Sequence, residues 1–564
     1  MQTKSENHFD VAIIGSGLAG ATLAAILARH SLKVIMFEAK SHPRFSIGES
    51  MILETSEMMR ALAELYDVPE IAYFSSENFL SQAGSSHGVK RHFGFMHHQA
   101  GQSHNPDHTL QAVIPKEPHG HELHLYRQDT DYFMMMCAVK HGATIQQNTA
   151  IKDVDITASD VTLITANDQT ISADFVVDAG GFRSVISQKL NLRTQNQQTL
   201  SRGLFTHMID VALVGADSQH QADYDLPFRM HEGTLHHVFE GGWLWVIPFN
   251  NHAQSTNPLV SVGLMLDPRV YPQDDTLTPE EEFFQFIDKF PEIKAQFSQA
   301  KSVRDWVRAP RIQYGSKQIV GDRWAVLGHA AGFIDPLYSK GLYVSLTSVN
   351  ILADLLIRVQ TEQTYTAHYF APLEQVTQAY LTTNDQLVAH SYKAFTNPKL
   401  WQVYAVQWLL GAYTEYVKLN AIRIDSQGNR AQYLKQLYAL RMAGGGFKGF
   451  ASLTRQVDAL MEVVDPKDEV SVTETIEAIR RLYEAIDWMP QPFYALLDGK
   501  THLPKNKLRL SLLNPNAGFM GQGHYRKHFF GNHNLYDLII AFLREKLRYS
   551  PSALKQQHIR RQAT

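Results

Sequence analysis

Gly15-Ser16-Gly17-Leu18-Ala19-Gly20 is the first run of residues whose types and spacing could do chemistry. In such a turn Gly15 makes the tight bend and Gly17 lets the backbone approach a pyrophosphate. Gly20 lets a helix pack closely on a strand, and the amides of Leu18 and Ala19 open that helix toward the phosphates. Glu38, eighteen residues after Gly20, is placed to accept from ribose hydroxyls. A second set lies far away in "GGWLWVIPFNN", where Trp243 and Trp245 stand two apart and Pro248 closes the run. That spacing puts both indoles on one face of a strand. A core strand would carry them there. Histidine numbers 27, with His119, His121 and His124 close together and His236 beside His237. No cysteine or spaced carboxylate set completes a metal site around them, so no metal is expected. A histidine or carboxylate could instead serve as a proton-accepting base.

The elements that must position these residues follow from local pattern. Phe9 to Ile14 reads as a strand, Ala21 to Ala28 as a helix and Lys33 to Phe37 as a second strand, giving a β-α-β unit around the glycine turn. "ADFVVDAGGFRS" is a further strand running into Asp178. "DRWAVLGHAAGFIDPLYSKGLYVSLTSVNILADLLI" is a strand, a glycine-rich loop and a long helix starting near Leu342. Thr278 and Pro279, followed by glutamates, mark an exposed helix start. From about 351 apolar residues recur at three to four, and Pro398, Pro466 and Pro490 punctuate a mostly helical stretch. The organisation expected is a module over 1–350, with a dinucleotide core at 8–190, a β-rich wall at 225–320 and a second cofactor-facing segment at 322–350. A helical region fills 351–564.

Composition narrows the class. At 564 residues the chain can bury a large core; 44% is hydrophobic and 19% charged, an ordinary globular balance. A net charge of −4 gives no footprint for nucleic acid or acidic lipid. The polar start "MQTKSENHFD" has no apolar signal core, and no run of eighteen apolar residues suggests a membrane span. The one cysteine, Cys137, fits a reducing cytoplasm. A soluble cytoplasmic protein is expected, with a homodimer open. No second glycine fingerprint follows a strand, so a second dinucleotide-binding domain is not expected.

Two resemblances sharpen this reading. The late strand-loop-helix resembles the second flavin-contacting segment of FAD monooxygenase-type folds. The fold class expected is therefore α/β, a Rossmann-like FAD domain of that type with an inserted β-rich region and a helical C-terminal region. His329 stands where such folds usually carry an aspartate, and Asp335 lies six residues on. "LYRQDTDYF" looks like their arginine-bearing helix start, which makes Arg127 a cofactor contact. More specifically, "SHPRFSIGES", "GVKRHFGF", "HEGTLHHVFEGGWLWVIPFNN", "VGLMLDPRVYP" and "GFIDPLYSKGL", in that order over roughly 8 to 345, resemble the flavin-dependent halogenases of the pyrrole and phenol branch.

That resemblance implies a chemistry. Reduced FAD from a separate flavin reductase, with oxygen and halide, yields hypohalous acid, which crosses a tunnel to a lysine and halogenates an electron-rich ring. The tryptophan pair then has a purpose, because a ring beside the oxygenated flavin would be hydroxylated. By motif match Lys90 is the catalytic residue, on a strand-like alternation with Val89, Phe93 and Phe95. As a cation it would hold hypohalous acid; as a neutral amine, its pKa lowered by burial, it would accept halogen. Arg44, Ser46 and Glu49 would shape the flavin pocket, Asp335 and Leu342 would approach the cofactor, and the amides of Lys340 and Gly341 would hold the halide. Tyr338 replaces the glutamate of tryptophan halogenases, which points to pyrrole, phenylpyrrole or phenol substrates. An aromatic hydroxylase on the same scaffold is the alternative, and a flavin-binding scaffold without turnover is a third.

Overall fold

The computed structural model describes residues 8–214, 224–362, 364–440, 442–503, 524–531 and 533–562. The polar start of the chain up to residue 7 lies outside them. Strand His8–Ile14 runs into the glycine turn, helix Leu18–Arg29 follows, and strand Val34–Phe37 lies parallel to the first with Val11 opposite Val34. The helix is buried along most of its length. This is the expected β-α-β unit, with the helix starting three residues earlier than its apolar period suggests.

Two large sheets organise the chain. In the first, Val320–Gly321, Trp324–Val326, Thr170–Asp178, His8–Ile14, Val34–Phe37 and Thr144–Gln146 lie side by side. Its central strands are parallel and buried on both faces, which explains their continuous apolar runs. The second sheet carries, in order, Lys301–Ser302, Arg202–Ile209, Val260–Leu266, Gly242–Pro248, Thr234–Phe239, His92–His97 and Thr109–Val113. It is antiparallel except where His92–His97 pairs with Thr234–Phe239. A small ladder, Gly88–Lys90 with Glu122–His124, sets Lys90 opposite Glu122.

After the second sheet the chain becomes helical. Lys340–Glu362, Ala367–Ala394 and Pro398–Ser426 are long helices, joined by Lys448–Val463, Glu469–Glu484 and Leu535–Arg548. Lys340–Glu362 meets the length and composition of a membrane-spanning helix, yet 83% of its apolar window is buried inside the protein. Thr278 and Glu281 cap Pro279–Ile287 reciprocally, as the sequence suggested. Buried ion pairs tie the helical region to the nucleotide side: Arg423 bonds Glu57 and Glu64, and Lys340 bonds Glu54 at 2.5 Å.

Candidate active site

The nucleotide end is built mainly from backbone. Gly15 has φ +95°, and a Cβ there would lie 2.7 Å from the Ala179 carbonyl oxygen. A Cβ on Gly20 would come within 2.1 Å of the Gly15 carbonyl oxygen. Gly17 caps the helix, so the N–H groups of its first turn, including those of Leu18 and Ala19, have no intrahelical acceptor. Ser16 Oγ donates to Glu38 at 3.1 Å, and Arg44 Nε pairs with the same carboxylate at 2.9 Å. Burial alone would raise the Glu38 carboxyl; Arg44 together with the Lys40 and Ser16 amides outweighs it and holds the group below its ordinary range.

The segment from Arg44 to Met51 is fastened at several points. Arg127 opens helix Arg127–Lys140 and is buried. It grips Asp131 with Nε and Nη2 at 2.8 and 3.1 Å, and its Nη1 donates to the carbonyls of Ile47 and Gly48 at 2.7 and 3.1 Å. Glu49 pairs with His207 of the second sheet at 2.7 Å, both buried. Ser46 makes only a long contact, 3.5 Å to the Ile47 carbonyl.

On the late segment the helix starts at Lys340, two residues before the position suggested by sequence. Lys340 and Gly341 are thus first-turn residues whose N–H groups lack intrahelical acceptors, and Leu342 is buried behind them. His329 Nε2 is buried with no hydrogen-bond partner among the described residues, and a Cβ on Gly341 would lie 2.8 Å from it. Burial first, then Arg127, pushes the His329 imidazole down to about 4. An orphaned ring nitrogen beside a helix start and a glycine cradle fits a polar cofactor. The Asp335 carboxylate accepts from Leu337 N at 3.0 Å, Ser201 Oγ at 2.9 Å and Tyr392 Oη at 3.0 Å. Those partners attach it to the tryptophan strand rather than to His329 or the glycine turn.

Trp243 and Trp245 are both buried, with ring centroids 5.7 Å apart. Trp243 Nε1 donates to Tyr392 Oη at 3.1 Å, and Trp245 Nε1 to Ser261 Oγ at 3.2 Å. Gly263 faces Trp245 across the strand pair, and a Cβ there would lie 2.0 Å from the indole. The ring therefore fills the space a side chain would occupy, as a core strand requires.

Lys90 is fully buried. Its Nζ donates to Ser50 Oγ and the Met51 carbonyl, each at 2.7 Å, and lies 3.3 Å from the centroid of Phe93. Ser50 Oγ continues to Thr234 at 2.8 Å, and His124 Nε2 reaches the same hydroxyl at 2.9 Å. Burial drives the amine well below an ordinary lysine, against the upward pull of Glu122 and Glu54. Beyond Phe93 opens a cavity of about 740 Å³. Ile52, Leu53, Glu54, Phe93, Tyr338, Lys340 and Trp408 line the part formed by residues around Lys90, and helices Pro398–Ser426 and Leu535–Arg548 supply much of the rest. Tyr338 stacks on Trp408 at 4.7 Å. Sequence reasoning missed this cavity, Glu54 included.

The close-set histidines disperse: His119 bonds Glu545 at 2.9 Å, His121 bonds Glu77 at 2.9 Å, and His124 turns to Thr234. His236 and His237 bond Gly94 and Gln296. Elsewhere Glu70, Cys137 and His141 come within 4.8 Å of one another, but Glu70 is already paired with Lys140 at 2.8 Å. Burial pushes the Cys137 thiol up to about 12.

Comparisons with known proteins agree with this geometry. Residues 90–446 match the tryptophan halogenase family model and residues 13–50 an NAD(P)-binding Rossmann-like domain. Monodechloroaminopyrrolnitrin halogenase PrnC of Pseudomonas fluorescens is 43% identical over 411 residues, 72% of this chain and 71% of that protein. Tetracycline 7-halogenase of Kitasatospora aureofaciens is 42% identical over 70% of this chain and 72% of its own. The crystal structure of halogenase PltM in complex with phloroglucinol and FAD superposes with a TM-score of 0.83 at 36% identity, covering 88% of this chain and 99% of that one. The hydroxylase alternative falls with these matches. A glycine turn, an aromatic wall and a sequestered lysine lie in one chain with these relatives, and the chain belongs to the tryptophan halogenase family of flavin-dependent halogenases.

Proposed function

We propose that the protein halogenates a pyrrole, phenylpyrrole or phenol, using chloride or bromide, with Lys90 as the residue that delivers halogen. The observation that carries this reading is the position of the Lys90 amine. Ser50 and Met51, at the end of the segment clamped by Arg127, hold it from one side, and Phe93 of the large cavity lies on the other.

Bound FAD, reduced by a separate flavin reductase, supplies oxidised halogen from oxygen and halide. The chain's own residues do the rest. The glycine turn and the opening amides of Leu18 and Ala19 take the pyrophosphate, Glu38 and Arg44 flank it, and Ser46, Glu49 and Arg127 fix the neighbouring segment. His329, not Asp335, is the side chain left free to meet the cofactor, and the amides of Lys340 and Gly341 receive the halide. Trp243 and Trp245 keep ring and flavin apart. In the neutral amine both Lys90 hydrogens are used by Ser50 and Met51, which leaves the lone pair to take halogen from hypohalous acid with loss of water. The ring then attacks that halogen and returns an N–H to the lysine. Tyr338 supports the choice of rings that need little activation, because it offers a stacked phenol where tryptophan halogenases carry a carboxylate.

Residues 1–350 serve as the flavin and substrate module and 351–564 as the helical cover. The buried free thiol of Cys137 fits work in the cytoplasm. The test is purified protein with a flavin reductase, NADH, FAD, bromide and a simple phenol, with products read by mass spectrometry. Brominated phenol is the expected outcome; oxygenated phenol or peroxide alone refutes the reading.

A further inference from the structure

The cavity beside Lys90 is walled mainly by apolar and aromatic side chains, yet at this end it contains a carboxylate. Glu54 sits in the first turn of helix Leu53–Leu65, three residues after the carbonyl that holds Lys90, and is 3% exposed. Its Oε1 accepts from Lys340 Nζ at 2.5 Å. Its Oε2 makes no hydrogen bond among the described residues, although Glu54 lines the cavity. Lys340 is held on its other side by Glu415, whose Oε2 is 3.7 Å away. The Glu54 carboxylate is therefore held through Oε1 by Lys340, a neighbouring residue of the same cavity wall, while Oε2 takes no partner among the described residues.

A carboxylate oxygen at a cavity wall is costly to strip of water unless another donor meets it. Water can do so in the empty cavity, but a bound aromatic ring displaces that water. A ring bearing its own O–H or N–H replaces the lost donor, whereas a ring with only ether or alkyl substituents does not. The same group, oxygen or ring nitrogen, is what makes such rings electron-rich. From this we infer that Glu54 is a positioning and specificity residue, accepting a hydrogen bond from the O–H or N–H of the substrate ring and orienting its carbon toward Lys90. The inference rests on the halogenase reading above. It concerns which rings are accepted and how they lie, and it moves no proton.

Resorcinol and 1,3-dimethoxybenzene test it, since they differ in the donor and share the ring pattern. Calorimetric titration into FAD-loaded protein without reductant should show resorcinol binding at least about tenfold more tightly, the scale of one charge-assisted hydrogen bond. In Glu54→Gln the carbonyl stays with Lys340 and an amide NH2 faces the cavity, so donor would meet donor. This variant should lose about tenfold or more of resorcinol affinity and change dimethoxybenzene affinity less than about twofold. Under turnover the loss should fall on KM for resorcinol, and Glu54→Asp should recover part of it. Equal affinity of wild type for the two rings, or an unchanged ratio in Glu54→Gln, overturns the inference. Should the glutamine variant not fold, the wild-type ratio alone decides. Halogenation of neither ring by wild type, with the binding preference intact, would instead refute the functional reading.

Discussion

The two ends of the active site are made of different material. The nucleotide end is a backbone device, in which glycines, helix starts and carbonyls clamped by Arg127 leave amides to meet a ligand. The substrate end is a side-chain device, with Phe93, Tyr338, Trp408 and the Glu54–Lys340 pair drawn from distant parts of the chain. The contrast teaches why one fold can keep a cofactor and change its ring. Backbone geometry tolerates little, since an added Cβ at Gly20 meets a carbonyl oxygen at 2.1 Å. A cavity lined by side chains can be recut one residue at a time.

The largest effect should come where the two devices meet. Lys90→Met keeps volume and burial and removes the nitrogen; halogenation should fall by about a thousandfold or more while FAD stays bound. Near wild-type product yield from this variant would dissolve the junction. Because burial lowers the Lys90 amine, the wild-type chemical step should also speed up as pH rises through that lowered value, as the neutral form gains. Single-turnover halogenation across pH would show a falling limb instead if the cation were the active form.

Next in size is the backbone side. Gly20→Ala should weaken FAD binding by about a hundredfold and lower stability by roughly 1–3 kcal/mol, because strand and helix must part. Flavin fluorescence titration and thermal unfolding read both. A variant that binds FAD normally would mean the close approach is not needed.

Smaller again is a change in the wall. Gly263→Ala forces Trp245 out of its place, and coupling of flavin oxidation to halogenated product should drop by about tenfold. The ratio of peroxide to halogenated product measures it; an unchanged ratio would make Trp245 simple filling.

The smallest concerns the anchor of that wall. Burial raises the Asp335 carboxyl to about 6, above its unfolded value, so the folded state takes up a proton first as pH falls. Wild type should therefore gain stability relative to Asp335→Asn between pH 6 and 4, by at most about 1.4 kcal/mol per pH unit. Parallel thermal melts showing no pH-dependent difference would place the carboxyl on an ordinary footing.

What could be read from sequence follows the same division. The glycine turn, Glu38 and the first β-α-β unit were legible because local spacing dictates them. Lys90 and the tryptophan pair stand out through motif, while their burial comes with strand pairing that places Lys90 opposite Glu122 and Trp245 opposite Gly263. The bond of Asp335 to Tyr392, 57 residues on in a helix that only tertiary packing brings near, has no local signal in the sequence. Glu54 reads in sequence as a helix-start acid favoured by the macrodipole, and nothing local reveals that a cavity passes its outer oxygen. The dispersal of the HGHELH histidines to three separate partners was equally hidden.

Tyr392 joins Trp243 of the second sheet to Asp335 of the late loop from a helix that belongs to neither. Anyone grafting the helical half of a relative onto this scaffold to change its products would thereby replace the bracket that holds the partition upright. Such a hybrid would have to import a hydroxyl at this spot along with the new cavity, or trade selectivity for leakage.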